Sequence, residues 1–346
     1  LGFNGISTGV LVRSLSKIGD YSYSIYLIHF PLFILLGYTE FGGNPIKFES
    51  IFSAVLFFSV LILTSWLMKE FVEDSKFLRK NFLKISFVTL FLATTMLASK
   101  DELIKFGYSD DEVNIASATL DRGEFRCGLL ARLPILNSPS RTCLISSAGD
   151  TESKVLLVGN SHADSIKEAV VTALPGKQVF LLNQNDPIRE DTYNSYITGV
   201  AELKPETVIL HNSSGSVDPY YLRKFVADLS IIGIRVVVIE PVPSPDLNVP
   251  RFAWSLKKAG IDLSKFAKEG FDLETYYASK TKELSLLTSL SINHEVTLIP
   301  VADLFCNPSC QIVDKVSLKP LYFDGSHLTL TGAGFVVNRL KSSLEG

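Results

Sequence analysis

Only four cysteines and five histidines occur in this chain of 346 residues, and its formal net charge is −3. Each scarcity closes off a class of function. With 33 basic against 36 acidic residues there is no excess of positive charge to neutralise a phosphate backbone, so nothing points to nucleic acid as a partner. Cys127, Cys143, Cys306 and Cys310 form no paired C-x-x-C spacing, and few histidines are available to join them. That argues against a zinc site, and no metal is expected. An initiating Met and a charged signal-peptide n-region are also missing. The chain, starting at Leu1, therefore reads as the C-terminal part of something longer that is already within the membrane.

Apolar residues are plentiful: 47% of the chain is hydrophobic and the mean hydropathy is +0.25. The excess lies in the first hundred residues, in three runs at 21–38, 51–68 and 85–99. The first two are long enough to cross a hydrocarbon core. The third is short, and is either a span whose flanking Lys84 and Lys100 snorkel or a buried core helix. Basic residues flank these runs unevenly. Arg13 and Lys17 precede the first, and Lys69, Lys76, Arg79, Lys80 and Lys84 separate the second from the third. Between the first two stand Lys47, Glu40 and Glu49. The positive-inside bias then puts everything after about Lys100 outside the cytoplasm. All four cysteines fall on that side, as disulfides in an oxidising compartment would. Cys127–Cys143 and Cys306–Cys310 are favoured because each closes a local loop, although spacing leaves the other pairings open. His29, two residues before Pro31, is an ionisable group at membrane depth. It is either a functional site or a histidine satisfied within a helix bundle.

The period changes near residue 150. Short apolar runs at 155–158, 178–182, 207–210, 234–239 and 296–299 predict strands. Between and after them, helical patterns run over 163–174, 195–203, 219–232, 273–291 and about 331–344. This alternation predicts an α/β domain with a parallel sheet covered on both faces. Ligands in such sheets sit at the carboxyl ends of the strands. Ser161 follows the first strand, His211 and Asn212 the third, and Asp324 with His327 the last.

The run Val155-Leu156-Leu157-Val158-Gly159-Asn160-Ser161-His162 is a strand, a turn and the start of a helix. It presents a serine hydroxyl at a helix N-terminus, where unpaired N–H groups can stabilise an oxyanion. Asp324-Gly325-Ser326-His327 supplies a carboxylate and an imidazole three residues apart. Nucleophile, orienting acid and base in that chain order resemble the SGNH hydrolase superfamily over about residues 150–346. The resemblance implies a flavodoxin-like sheet with Ser161 as nucleophile, His327 as base and Asp324 as its partner. It also implies an oxyanion hole built from the Ser161 N–H and Asn212, although Asn212 could instead cap the following turn. The superfamily's oxyanion glycine after the second strand is not evident, and a backbone N–H of Asn183 or Gln184 is the replacement considered. Asn160 stands where the superfamily often has Asp. His162 either packs against the strand edge or lines an acceptor site, His294 reads as surface, and Thr329 or Thr331 should start the last helix.

The stretch from Ile18 to Pro31, IGDYSYSIYLIHFP, resembles the late transmembrane helices of the acyltransferase-3 family. One branch of that family carries an additional helix and then an SGNH domain. The implied layout is residues 1–84 as the last two helices of an acyltransferase-3 domain, 85–99 as an additional transmembrane helix, 100–149 as a periplasmic connector and 150–346 as the SGNH-like domain. In the connector, Asp101, Glu102, Asp110, Asp111 and Glu112 read as a solvated face. The function implied is an O-acetyltransferase of the bacterial inner membrane, multi-pass, with its SGNH-like domain in the periplasm. It would acetylate a cell-surface polysaccharide such as lipopolysaccharide O-antigen. No cofactor would be bound by this fragment, and acetyl-CoA would be the donor to the full-length protein. The partners would be the glycan acceptor, the lipid bilayer and the missing N-terminal membrane helices. An acetylesterase using the same triad, or a non-catalytic domain that presents glycan, are the alternatives.

Overall fold

The apolar runs near the N-terminus form helices, and the alternating pattern beyond residue 150 forms a layered sheet. The structure is a computed structural model that describes residues 8–37, 51–98, 108–128, 142–146, 153–183, 188–293 and 295–344. His294, Gln184, Asp101 and Glu102 lie outside the described residues, as does the connector stretch 129–141. The chain divides into two units, Leu1–Gly107 and Tyr108–Gly346.

In the first unit, α1 (Thr8–Gly37) continues through Pro31, and α2 (Ile51–Met68) runs into a π-helical turn at Lys69–Glu73. Two further helices follow, α3 (Lys76–Lys80) and α4 (Phe82–Ala98). Leu32 on α1 packs with Phe57 and Leu61 on α2, and the rings of Phe33 and Phe57 lie 4.8 Å apart. The buried Ser24 hydroxyl bonds the Glu73 carboxylate, so this buried polar group is satisfied. Phe52, Phe58 and Ile62 on α2 and Phe87 and Phe91 on α4 remain exposed. Among the described residues one helix, Ala54–Glu73, is long and apolar enough to cross a membrane, and Leu83–Leu92 is a shorter apolar helix. The first run, expected as a span, is helical but diluted by its tyrosines, serines and His29. The third is short, as its length indicated.

The second unit, from Tyr108, includes a segment ahead of the sheet. Helix α5 (Asp110–Ala116) opens with a capping box between Ser109 and Glu112. The acidic run at its start is not merely solvated. Asp111 and Glu112 each reach a lysine, Lys257 and Lys258, at 2.5 Å. A six-stranded sheet follows: β1 (Thr142–Leu144), β2 (Lys154–Gly159), β3 (Gln178–Asn183), β4 (Thr207–His211), β5 (Arg235–Ile239) and β6 (Thr297–Ile299). Their order is β1-β3-β2-β4-β5-β6, and all neighbours are parallel except the antiparallel edge pair β1–β3. Counting from β2, the order is 2-1-3-4-5, the flavodoxin-like winding. The helices are α6 (Ser161–Ala173), α7 (Tyr193–Leu203), α8 (Pro219–Ile231), α9 (Val249–Lys258), α10 (Leu273–Ser279), α11 (Thr281–Ile292), α12 (Ala302–Phe305), α13 (Leu330–Gly334) and α14 (Val337–Leu344).

The expected helix over 273–291 is broken at Lys280, and the last helix is broken between Gly334 and Val337. The three-residue β1 and the amphipathic α9 had no counterpart in the sequence reading.

The five parallel strands are apolar almost throughout because helices bury both their faces. On one face Leu156, Val158, Leu210 and Val238 meet Tyr196 of α7, Phe225 and Leu229 of α8 and Leu290 of α11. Helices α6 and α14 pack together over the other. Each such fully buried branched or aromatic side chain stabilises the fold by roughly 1.5–3 kcal/mol. The disulfide Cys127–Cys143 ties the segment before the sheet to β1, and Cys306–Cys310 closes a tight loop after α12.

Gly159 is where β2 and β4 come closest. It pairs with His211, and a Cβ at this position would overlap the His211 carbonyl oxygen. Glycine is required here for close backbone approach, and its φ is not positive. Gly159→Ala should therefore destabilise the second unit by about 2 kcal/mol, the scale of overpacking a close contact. A denaturant midpoint unchanged from wild type would refute this account of the glycine.

Candidate active site

Strand β2 delivers the chain to Asn160, which caps α6. The Asn160 Oδ1 accepts from the N–H groups of His162 at 3.0 Å and Ser213 at 3.3 Å. Its Nδ2 donates to Ser213 Oγ at 2.8 Å, and its carbonyl accepts from Asn183 Nδ2 at 3.0 Å. The turn after β2, the end of β3 and the loop after β4 are thus joined through one residue, by its side chain and its backbone carbonyl. Asn serves here because both ends of its amide are used, which a carboxylate could not do. Ser161 is the first residue of α6 and exposed, with its N–H among those that have no intrahelical acceptor.

The loop carrying Asp324 and His327 is held from several sides. Tyr322, fully buried, donates its hydroxyl to the Pro243 carbonyl at 2.7 Å. Ser244 Oγ donates to the Gly325 carbonyl at 2.8 Å, and the Val249 N–H donates to the Asp324 carbonyl at 3.1 Å. Thr329 then caps α13, its Oγ1 accepting from the Gly332 N–H at 3.0 Å. The result is a continuous chain of polar contacts. His327 Nε2 lies 2.7 Å from Ser161 Oγ, and His327 Nδ1 lies 2.7 Å from Asp324 Oδ2. The other oxygen, Asp324 Oδ1, accepts from the N–H groups of Ser326 at 2.9 Å and His327 at 2.8 Å. Burial opposes ionisation of Asp324, but the His327 ring and these two N–H groups outweigh it and hold the carboxyl at about 2. Asp324 is therefore ionised at neutral pH and keeps a proton on His327 Nδ1, leaving Nε2 to accept from the serine. This arrangement can generate a serine nucleophile and stabilise the imidazolium that forms.

Asn212 directly follows β4 and is more than nine-tenths buried. Its Oδ1 is sealed from solvent without a partner, and among the described residues Nδ2 has no acceptor. Asn212 also lines a cavity of ≈ 700 Å³ whose walls include Leu222, Val238 and Leu286. Asn183, considered for its backbone N–H as a second oxyanion donor, is held beside Asn160 by its side-chain amide, which donates to the Asn160 carbonyl. His29 belongs to the first unit, where its Nδ1 meets the Tyr26 carbonyl at 2.6 Å and the Ile25 carbonyl at 3.2 Å on its own helix.

Three features escaped the sequence reading. Segment 121–128 packs on the site. Asp121 accepts from the Thr331 hydroxyl at 2.6 Å, and the Arg126 N–H donates to Asp164 at 2.9 Å. Lys167, buried within α6, bonds the carbonyls of Glu124 and Arg126 and the Asp164 carboxylate. Second, Phe323 stacks on His327 with ring centroids 5.4 Å apart, and the Arg122 guanidinium lies 5.6 Å from the Phe323 centroid. Third, His162 and His211 form a buried pair of rings beside the base, 4.6 Å from His327 to His162 and 6.3 Å from His162 to His211. Of these, only the adjacency of His162 to the serine left a signal in the sequence.

Over residues 126–342 the chain matches the family model of the SGNH domain that is fused to AT3 domains. It belongs to that family. No curated protein matches the chain. Among solved structures, the SGNH domain is similar to the periplasmic domain of a lipopolysaccharide acetyltransferase from Salmonella ser. Paratyphi A. Identity there is 15%, the TM-score is 0.45, and 57% of this chain and 86% of that one are covered. It is also similar to the C-terminal catalytic domain of peptidoglycan O-acetyltransferase A from Streptococcus pneumoniae. In that case identity is 16%, the TM-score is 0.31, and 56% of this chain and 93% of that one are covered.

The two buried histidines make the SGNH domain sensitive to acid. Burial lowers His162 to about 3, helped by repulsion from His211 and His327, and burial lowers His211 to about 4. Both values lie below the ordinary 6.5, so the unfolded chain takes up these protons first as pH falls. The stability they contribute is complete above about pH 6.5 and is lost on the way down towards pH 4, at roughly 2 kcal/mol per pH unit for the pair. Asp324 contributes in the opposite sense of charge but at lower pH, its share being lost only as pH falls from about 4 through 2. Denaturant unfolding between pH 6 and 4 should show this slope, and His211→Phe should reduce it by about half. A flat profile would mean that these rings are not held neutral.

Proposed function

We propose that this protein is an O-acetyltransferase that moves an acetyl group onto a hydroxyl of a cell-surface polysaccharide, such as a lipopolysaccharide O-antigen, through an acyl-enzyme on Ser161. The observation that carries the reading is the unbroken chain Asp324–His327–Ser161, with 2.7 Å at both side-chain links, at the start of a capped helix. His327 takes the Ser161 proton as Oγ attacks the acetyl carbon. The oxyanion that forms is met by the Ser161 N–H and by Asn212 Nδ2. His327 returns the proton to the departing group. An acceptor hydroxyl then repeats the sequence in reverse and carries the acetyl away.

One feature supports transfer in place of hydrolysis, and two support a membrane-bound, extracytoplasmic setting. The family is one fused to AT3 domains, and residues 1–84 read as the last helices of such a domain. The exposed apolar surfaces of α2 and α4 suit a bilayer. Both disulfides suit an oxidising compartment outside the cytoplasm, which fits a periplasmic SGNH domain on a multi-pass inner-membrane protein. Membrane helices of an AT3 domain would bring acetyl from acetyl-CoA to the outer side, and Ser161 would receive it there.

The test is covalent labelling of the oxidised protein with a serine-reactive phosphonate, read by mass spectrometry. Ser161 should be the modified residue. Labelling should vanish in Ser161→Ala and fall by at least about 1000-fold in His327→Ala and Asp324→Ala, because the three act as a unit. An unlabelled Ser161 in the folded wild type would favour a glycan-presenting role. A wild type that labels but, given 4-nitrophenyl acetate, releases acetate alone whatever polysaccharide is supplied would favour an esterase. Asn212→Ala should lower the labelling rate by about 100-fold while the protein stays folded, as loss of one oxyanion donor does.

A further inference from the structure

His162 is a buried polar side chain that the triad does not use. It follows the nucleophile directly, and its backbone N–H is fixed by Asn160 Oδ1 at 3.0 Å, so the ring has little freedom. The side chain is more than nine-tenths buried. Among the described residues neither of its ring nitrogens has a hydrogen-bond partner. His211 Nε2 is also unpartnered, but it is sealed from solvent, whereas the His162 nitrogens are not. The His162 ring lies 4.6 Å from that of His327, centroid to centroid and tilted by 40°. A polar group buried this deeply is normally satisfied. Here the missing partner has to come from the open side, where the acceptor approaches His327.

The chemistry of that partner follows from the charge on the ring. The titratable groups around His162 are His211, His327 and Asp324. Burial and the first two disfavour a charge on it, and only Asp324 acts the other way. A neutral imidazole offers one donor and one acceptor, which matches a hydroxyl. It does not match a carboxylate or phosphate, which would call for a charged ring.

Building on the transferase reading above, we propose that His162 is an acceptor-binding residue. Its imidazole holds the hydroxyl next to the one being acetylated, so the site selects acceptors with a vicinal diol. One hydroxyl of the pair faces His327 and its neighbour faces His162. In the transfer step the first hydroxyl gives its proton to His327 Nε2 while its oxygen forms a bond to the acetyl carbon. The bond from that carbon to Ser161 Oγ breaks, and the serine oxygen recovers the proton from His327. His162 exchanges no proton and orients the acceptor against competing water.

The test uses the whole protein in detergent, with 4-nitrophenyl acetate as acetyl donor. The alternative acceptors are cis-1,2-cyclohexanediol and cyclohexanol, and the acetylated alcohol and free acetate are both quantified. Wild type should acetylate the diol about ten-fold more efficiently than the mono-alcohol, the value of one well-placed hydrogen bond. His162→Phe should lose this preference, so that diol and mono-alcohol are acetylated about equally. His162→Gln, which keeps a donor and an acceptor, should recover part of it. Phosphonate labelling of Ser161 checks that each variant is folded. Equal discrimination in wild type and His162→Phe, with transfer intact, would overturn the assignment and leave the transferase reading standing. Wild type that acylates Ser161 and yields only acetate with both alcohols would overturn the transferase reading, and the assignment with it.

Discussion

The hydrogen bonding of Asn160 is the interaction on which the rest of the site depends. Its side-chain amide meets the segments after β2 and β4, and its backbone carbonyl meets the end of β3, at distances of 2.8–3.3 Å. These bonds set the start of α6, and with it the direction of the Ser161 hydroxyl and the aim of the helix N-terminus. They are possible because β2 and β4 are adjacent parallel strands and because Gly159 lets their ends approach. In a sheet of order 2-1-3-4-5 this is the position where the winding changes direction and a crevice opens between strand ends.

The base arrives from the far end of the chain and is secured differently. No strand carries His327; a loop does, and a loop by itself would not hold an imidazole within hydrogen-bond reach of a serine. Here the loop is pinned by Tyr322, Ser244 and the Val249 N–H beneath it and by Asp121 beyond it. Asp121 belongs to the segment that the Cys127–Cys143 disulfide ties to the sheet edge. The segment ahead of the sheet therefore holds both halves of the site. Arg126 and the carbonyls that receive Lys167 fix α6, while Asp121 fixes the turn after His327.

Charge is distributed by burial as much as by pairing. Asp324 stays ionised because it accepts three hydrogen bonds, one from the ring it orients. His162 and His211 stay neutral because they are buried next to one another and, in the case of His162, next to the base. Two neutral imidazoles beside a third that must become charged add no repulsion to the transition state. Charged, they would raise its energy, since like charges a few ångströms apart interact strongly away from water.

Much of this was legible in the order of residues. Four-to-six-residue apolar runs ending in turn residues determined the five parallel strands, because strands buried on both faces need side chains of one kind. The Ser161 and Asp324/His327 motifs, after the first strand and after the last, named a candidate triad through the family they resemble, since parallel strands put such ends on one edge. The helix expected over 163–174 lies within two residues of α6, and Thr329, one of the two threonines expected to start the last helix, caps α13. What only the tertiary structure decided depends on contacts between segments far apart in sequence. Three-residue β1 is a strand only because β3 offers it an edge. The acidic start of α5 is paired only because α9 places Lys257 and Lys258 opposite it. The packing of His162 against His327 brings together residues 165 positions apart. Local sequence determines what each segment can form and which groups it carries. Which buried group meets which, and which is left facing the open site, is set by the packing of the whole domain, because burial and pairing are properties of the surroundings and not of the residue.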